Sequence, residues 1–121
     1  MKGFVAAGAL FAAAAVAAGA FGAHALQARL TPERLATWET AAHYHLVHSL
    51  ALVMLGAVSA RWPGPLLPVA GWLFTAGIVV FGGTVYALAL GGPRWLGAIT
   101  PIGGLAFIVG WVVLAVAVGR S

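Results

Sequence analysis

Charged side chains leave four long gaps in this 121-residue chain, and the gaps decide which solvent it can fold in. Six Lys and Arg and two Asp and Glu are placed so that residues 3–28, 40–60, 62–93 and 95–119 carry none. The shortest gap, 40–60, holds 21 residues. A helix crosses a bilayer core of about 30 Å with about 20 apolar residues, at 1.5 Å each. Apolar residues make up 63% of the chain and charged residues 7%, against roughly 25% charged in soluble domains. So much apolar surface finds cover only in lipid. There every backbone N–H and C=O needs an internal partner, which leaves helices or a closed barrel. Barrel strands alternate over about ten residues. These gaps are continuously apolar, so the fold class is all-α. The expectation is an integral membrane four-helix bundle of antiparallel up-down topology. It is read as a single transmembrane domain over 1–121, with spans at about 3–26, 38–60, 67–90 and 96–118.

The net charge of +4 and a pI near 10.9 would suggest nucleic acid in a soluble protein. Here the cations are scattered, with no basic cluster and no aromatic interleaving. They read as loop charges that orient the chain against anionic lipid, so membrane lipid is an expected partner and nucleic acid is not. The absence of Cys excludes disulfides, thiolate metal sites, iron–sulfur clusters and thiol catalysis. Lys2, the apolar stretch and Ala23-His24-Ala25 together resemble a secretory signal with an A-x-A cleavage site. The apolar run is longer than a usual signal core, so the segment is expected to remain as a membrane helix.

Local patterns set the helix boundaries. Gly8, Ala12, Ala15, Gly19 and Gly22 recur at spacings of three and four along the first span. Such a face lets another helix approach closely, and packing inside the bundle is expected ahead of dimerisation. Thr31 reads as an N-cap with Pro32 at the first helical position. Glu33 in the first turn suits the helix dipole, while Arg34 stands where a capping box would want Glu. No Gly or Pro interrupts Glu33 to Leu55, so one helix is expected from Pro32 to about Ala60, 29 residues and roughly 43 Å. Helix 2 is thus extended at its N-terminus, with Leu35 and Trp38 at the interface. Arg61-Trp62-Pro63-Gly64-Pro65 breaks the second span from the third, and Gly91-Gly92-Pro93-Arg94 turns into the fourth. Trp95 reads as an interface anchor, and Pro101 as a first-turn residue or a kink. No internal repeat stands out, which gives no support to an inverted-repeat transporter.

Four spans place both termini and the Arg61 turn on one side of the membrane, called side A, and the 27–38 and 91–95 segments on side B. Lys and Arg divide equally between the sides, and the amino terminus tips side A towards the cytoplasm. The polar groups gather towards side B: His24, Glu39, His43, His45, His48, Thr84, Tyr86 and Thr100. Glu39 and His43, at i and i+4, share one face of a helix; His45 and His48 share another, with Ser49 and Leu52. An ionisable group such as His48 inside the apolar layer is costly and asks for a partner. Four readings compete. His24 facing His45 or His48 would suit zinc, copper or haem iron. Glu39 and the histidines would make a proton relay. Ser49 with His45 would make a hydrolytic pair, but no nucleophile elbow accompanies them, and Ser49 more naturally bonds its own i−4 carbonyl. The fourth reading stands ahead of these. The imidazoles hydrogen-bond Tyr86, Thr84, Thr100 or a backbone carbonyl across the bundle, and Glu39 caps that network or pairs with Arg94.

Four stretches carry a family resemblance: Gly19-Ala-Phe-Gly-Ala-His-Ala-Leu26, Glu39 through Leu52, Gly77 through Leu90, and Leu96 through Trp111 with its Thr100-Pro-Ile-Gly-Gly104. Together they resemble domain-of-unknown-function family 423, small four-helix membrane proteins of bacteria with eukaryotic relatives. The resemblance extends over nearly the whole chain except Arg61–Leu73. It implies a four-helix membrane fold in a bacterial inner membrane, and no activity. It also implies His at His24 and His48, an acid near Glu39 and Tyr at Tyr86. His43 and His45 fall where relatives often have other residues, and Gly82 replaces a small polar one.

The leading expectation is a small structural or accessory membrane protein, not an enzyme, without a cofactor, acting through a homo-oligomer or a membrane-protein partner. The alternative is a metal-, haem- or small-ligand-binding redox or transport accessory that uses His24 and His48. The candidate cluster on either reading is His24, Glu39, His45, His48, Tyr86 and Thr100.

Overall fold

The computed structural model describes residues 1–120. Four helices follow in order: α1 (Lys2–Leu26), α2 (Pro32–Arg61), α3 (Leu66–Ala89) and α4 (Leu96–Gly119). Each is long and apolar enough to cross a bilayer. The boundaries fall within a residue or two of those expected. At the start of α2 the Thr31 hydroxyl accepts from the Arg34 amide at 3.2 Å, with Pro32 in the first turn. The helix runs unbroken for 30 residues, about 45 Å at 1.5 Å per residue. Pro101 lies inside α4, in its second turn.

Just past the end of α3 stands Gly91, whose φ of +94° is one that L side chains rarely adopt. The Gly91 and Gly92 amides fold back to the Leu88 and Ala87 carbonyls, satisfying carbonyls that the helix end leaves open.

α2 and α3 form the centre of the bundle, with α1 against α2 and α4 against α3. In the most apolar stretches of α2 and α3, 44% and 39% of residues are buried, against 11% for α1 and 17% for α4. The flanking helices therefore give most of their surface to lipid, with Leu10, Phe21, Ile102 and Ile108 pointing outward. The core between the central helices holds Leu52, Leu55, Leu67, Ala70, Phe74 and Ile78, closed from α4 by Phe107.

Small residues set the register of both helical hairpins. A Cβ on Gly8 would stand 2.7 Å from both the Leu52 Cβ and the Ser49 carbonyl oxygen. Gly19 faces Ala42 and Gly22 faces the Trp38 ring in the same antiparallel register. Gly8 and Gly22 of the small-residue face are thus packed tightly inside the bundle, while Gly19 between them stays exposed. In the second hairpin Gly103 packs on the backbone of Phe81, and Gly110 on the ring of Phe74. Each hairpin also contains a feature that the periodicity did not signal. α1 widens into a π turn at Ala17–Gly22 and α3 does so at Ile78–Gly82. Both wide turns end on a Phe-Gly pair, Phe21-Gly22 and Phe81-Gly82.

Candidate functional site

The polar residues of α2 separate into an inward and an outward set. Along the inward face lie His45, His48 and Ser49, all buried. His48 sits near the middle of α2, where its ring stacks on Phe107 with centroids 3.6 Å apart and planes 12° from parallel. Its Nδ1 lies 2.8 Å from the Tyr44 carbonyl oxygen, an acceptor, so Nδ1 carries the proton. Nε2 then accepts from the Trp111 indole N–H at 3.0 Å. Both ring nitrogens are in use, and the tautomer follows from the partners.

His45 reaches the other way. Its Nδ1 is 2.9 Å from the Tyr86 hydroxyl of α3. Nε2 is buried with no hydrogen-bond partner, although the Phe11 backbone of α1 lies beside the ring. Ser49 donates to the His45 carbonyl at 2.6 Å, the i−4 back-bond expected from the sequence, so its hydroxyl is not presented to an imidazole. On α3 and α4 the Thr84 and Thr100 hydroxyls meet at 2.6 Å. Thr84 also reaches the Val80 carbonyl at 2.8 Å, inside the π turn.

Trp38 acts as an inward wedge rather than only as an interfacial residue. Its indole N–H donates to the Ala18 carbonyl at 2.8 Å, within the π turn of α1. Its ring lies 4.6 Å from that of Tyr86. The two wide turns thus offer carbonyls to side chains: Ala18 to Trp38, and Val80 to Thr84.

Two expected pairings do not form. His24 stands exposed near the end of α1 and touches neither His45 nor His48. The α1–α2 register puts it level with about Ala36, about twelve residues and about 18 Å along the axis from His48. A two-histidine centre of His24 and His48 is therefore not assembled, because antiparallel packing spreads them along the bundle. Among the described residues no group of three or more His, Cys, Asp or Glu is placed to hold a metal. Glu39 likewise makes no ion pair with Arg94 among the described residues. It points away from α3 and α4, into an open groove between α1 and α2.

That groove holds the outward set. Glu39 and His43 are both exposed and one turn apart. With Ala15, Val16, Gly19, Ala20, Ala42 and Leu46 they line a volume of about 340 Å³. Of the candidate cluster, His45 and Tyr86 come together, His48 and Thr100 have partners of their own, and His24 and Glu39 lie on the surface. Trp111 and Phe107 were missed. A signal for Trp111 existed: an indole N–H deep in an apolar helix, here in the fourth gap, needs an acceptor, and His48 is an acceptor deep in the second gap.

The family described as "Protein of unknown function (DUF423)" matches this chain over residues 18–104. The chain belongs to the DUF423 family. The match takes in the first three stretches of resemblance and the Thr-Pro-Ile-Gly-Gly motif, while Leu105 to Trp111 lies beyond it. A UPF0382 membrane protein of Staphylococcus aureus (strain bovine RF122 / ET3-1) is 45% identical over 96 residues, covering 74% of this chain and 73% of the relative. One from Staphylococcus saprophyticus is 47% identical over 96 residues, 74% of each chain. UPF0382 membrane protein YwdK of Bacillus subtilis is 42% identical over 91 residues, again 74% of each. No solved structure matches. The DUF423 chain is thus a membrane protein of a family whose molecular function is unknown.

Proposed function

We propose that this DUF423 protein is a non-catalytic accessory protein of the bacterial inner membrane that acts through its outer surface on a membrane-protein partner or on a second copy. One observation carries the reading. Inside the bundle, the His45 Nε2 apart, the hydrogen-bonding side chains are tied up: His48 on the Tyr44 carbonyl and on Trp111, His45 Nδ1 on Tyr86, and Thr84 on Thr100. The side chains left without such ties, His24, Glu39 and His43, stand on the outside. A catalytic centre would need the reverse, reactive groups converging on a protected cavity. The inner membrane is favoured because the relatives are bacterial membrane proteins and outer-membrane spans are barrels.

In vivo photo-crosslinking tests the reading. A photoreactive phenylalanine replaces Phe21 on α1 or Ile108 on α4, both outward-facing. The expected result is one discrete protein adduct from at least one of the two faces. Lipid adducts alone from both positions would count against the reading.

A further inference from the structure

The groove between α1 and α2 combines features that lipid-facing surface rarely shows together. Its floor is built from small residues, Ala15, Gly19 and Ala42, where the π turn of α1 passes α2. One wall carries Glu39 at its side-B end, then His43, then Leu46. Glu39 lies seven residues into α2 from Pro32, about 10 Å below the helix start and beside Trp38, which with the 38–60 span read from the sequence corresponds to the boundary between headgroups and acyl chains. Its carboxylate makes no ion pair among the described residues, with His43 one turn away or with any Arg. An unpaired acid at that depth is expensive. The groove below it is apolar and opens to lipid.

We propose that this groove binds a membrane lipid whose headgroup carries a primary ammonium. The ammonium donates to the Glu39 carboxylate, with the His43 imidazole beside it as a second acceptor, and an acyl chain lies along Ala15, Val16 and Leu46. Charge complementarity selects this occupant over a second copy of the chain. The spans α1, α3 and α4 carry no cation at the depth of Glu39. In α2 the nearest is Arg34, five residues closer to the surface, or about 7 Å. A copy docked side by side in the same orientation would bring Glu39 level with Glu39 rather than with a positive charge. A quaternary ammonium is a poorer fit because it has no N–H to donate, and an anionic headgroup would be repelled. The inference goes beyond the accessory reading and needs no protein partner.

Native mass spectrometry of the delipidated full chain in detergent tests it, with phosphatidylethanolamine, phosphatidylcholine and phosphatidylglycerol of matched acyl chains. The wild type is expected to retain phosphatidylethanolamine about tenfold over the other two, the scale of one charge-assisted hydrogen bond. Glu39→Gln preserves shape and should erase the preference while leaving the melting temperature unchanged. Gly19→Leu fills the floor and should weaken binding of all three lipids. A Cβ at Gly19 meets only Ala42, at 3.7 Å, so the first atom of the new side chain fits; should Gly19→Leu fail to fold, Glu39→Gln alone decides. Equal retention of the three lipids, or a preference that survives Glu39→Gln, overturns the proposal. A dimer lost in Gly19→Leu without any lipid preference overturns it in favour of a second copy.

Discussion

One turn of α2 separates His45 from His48, and their ring nitrogens end differently. His48 has a donor's partner at one nitrogen and an acceptor's partner at the other, so its place is fixed from two helices at once. His45 keeps one nitrogen buried and unpartnered. The cost of a buried polar group falls on whichever partner is left unpaired. Trp111→Phe leaves the His48 Nε2 without its donor and is expected to lower stability by about 1–2 kcal/mol. His48→Phe alone strands the Trp111 N–H and costs a similar amount. The double variant is expected to cost clearly less than the sum, since removing both partners of a bond strands neither. Reversible denaturation in mixed micelles, run as a double-mutant cycle, measures this; strict additivity would show that the indole and the imidazole are not coupled. The sequence made part of this legible: His48 had to find a partner, and Ser49 had to bond back to His45. It did not show which partner, because the acceptor on Tyr44 is its own backbone and the donor lies in another gap. The pairing of His24 with His48 failed for a related reason. Shared membership of one leaflet does not specify depth, and an antiparallel register does.

Helix boundaries were legible because breakers and caps are local. The Thr31-Pro32 start and the Gly91-Gly92-Pro93 turn stand in the structure where the residues place them. The π turns were not legible, because a single inserted residue leaves an all-apolar helix apolar in either winding. They are explained by what they face. In α1 the wide turn lies opposite Ala42, with its last glycine, Gly22, against the Trp38 ring, and in α3 it lies opposite Gly103 and Gly104. A widened helix needs room, which Ala42, Gly103 and Gly104 provide on the neighbouring helix and Gly22 provides on α1 itself. In each hairpin a wide-turn carbonyl that already accepts a backbone N–H, Ala18 from Ala23 and Val80 from Gly83, takes a second donor from a side chain, Trp38 or Thr84. The two adjacent glycines of α4 separate this account from general helix propensity. A Cβ at Gly103 would meet the Phe81 backbone, its Cα at 2.8 Å, whereas one at Gly104 meets only the edge of the Phe81 ring at 3.9 Å. Gly103→Ala should therefore push α4 from α3 and cost about 1–3 kcal/mol. Gly104→Ala should stay within about 0.5 kcal/mol of wild type. Equal effects in the same unfolding assay would mean that the close approach at Phe81 does not hold the hairpin.

At the scale of the molecule, charge is confined to the ends and polar chemistry is divided between a sealed interior and one open groove. Ser59 and Thr75, towards side A, bond their own helix carbonyls at Gly56 and Gly71, so they add nothing reactive there. Glu39 and His43 on side B remain open to lipid. The up-down topology makes this asymmetry a statement about membrane sides. Lys2 and Arg61 must share one side, and Arg29 and Arg94 the other, whichever faces the cytoplasm. The chain has no Cys, so single substitutions at these four exposed positions report on sides without a background. With a membrane-impermeant maleimide on intact cells, Arg29→Cys and Arg94→Cys are expected to react together. Lys2→Cys and Arg61→Cys should react only after the membrane is opened, in keeping with the amino terminus tipping side A inward. The opposite pattern would invert the orientation and move the Glu39 groove to the cytoplasmic leaflet without disturbing the fold. Labelling that splits Lys2 from Arg61 would instead break the four-span topology itself, because no even number of crossings then separates them.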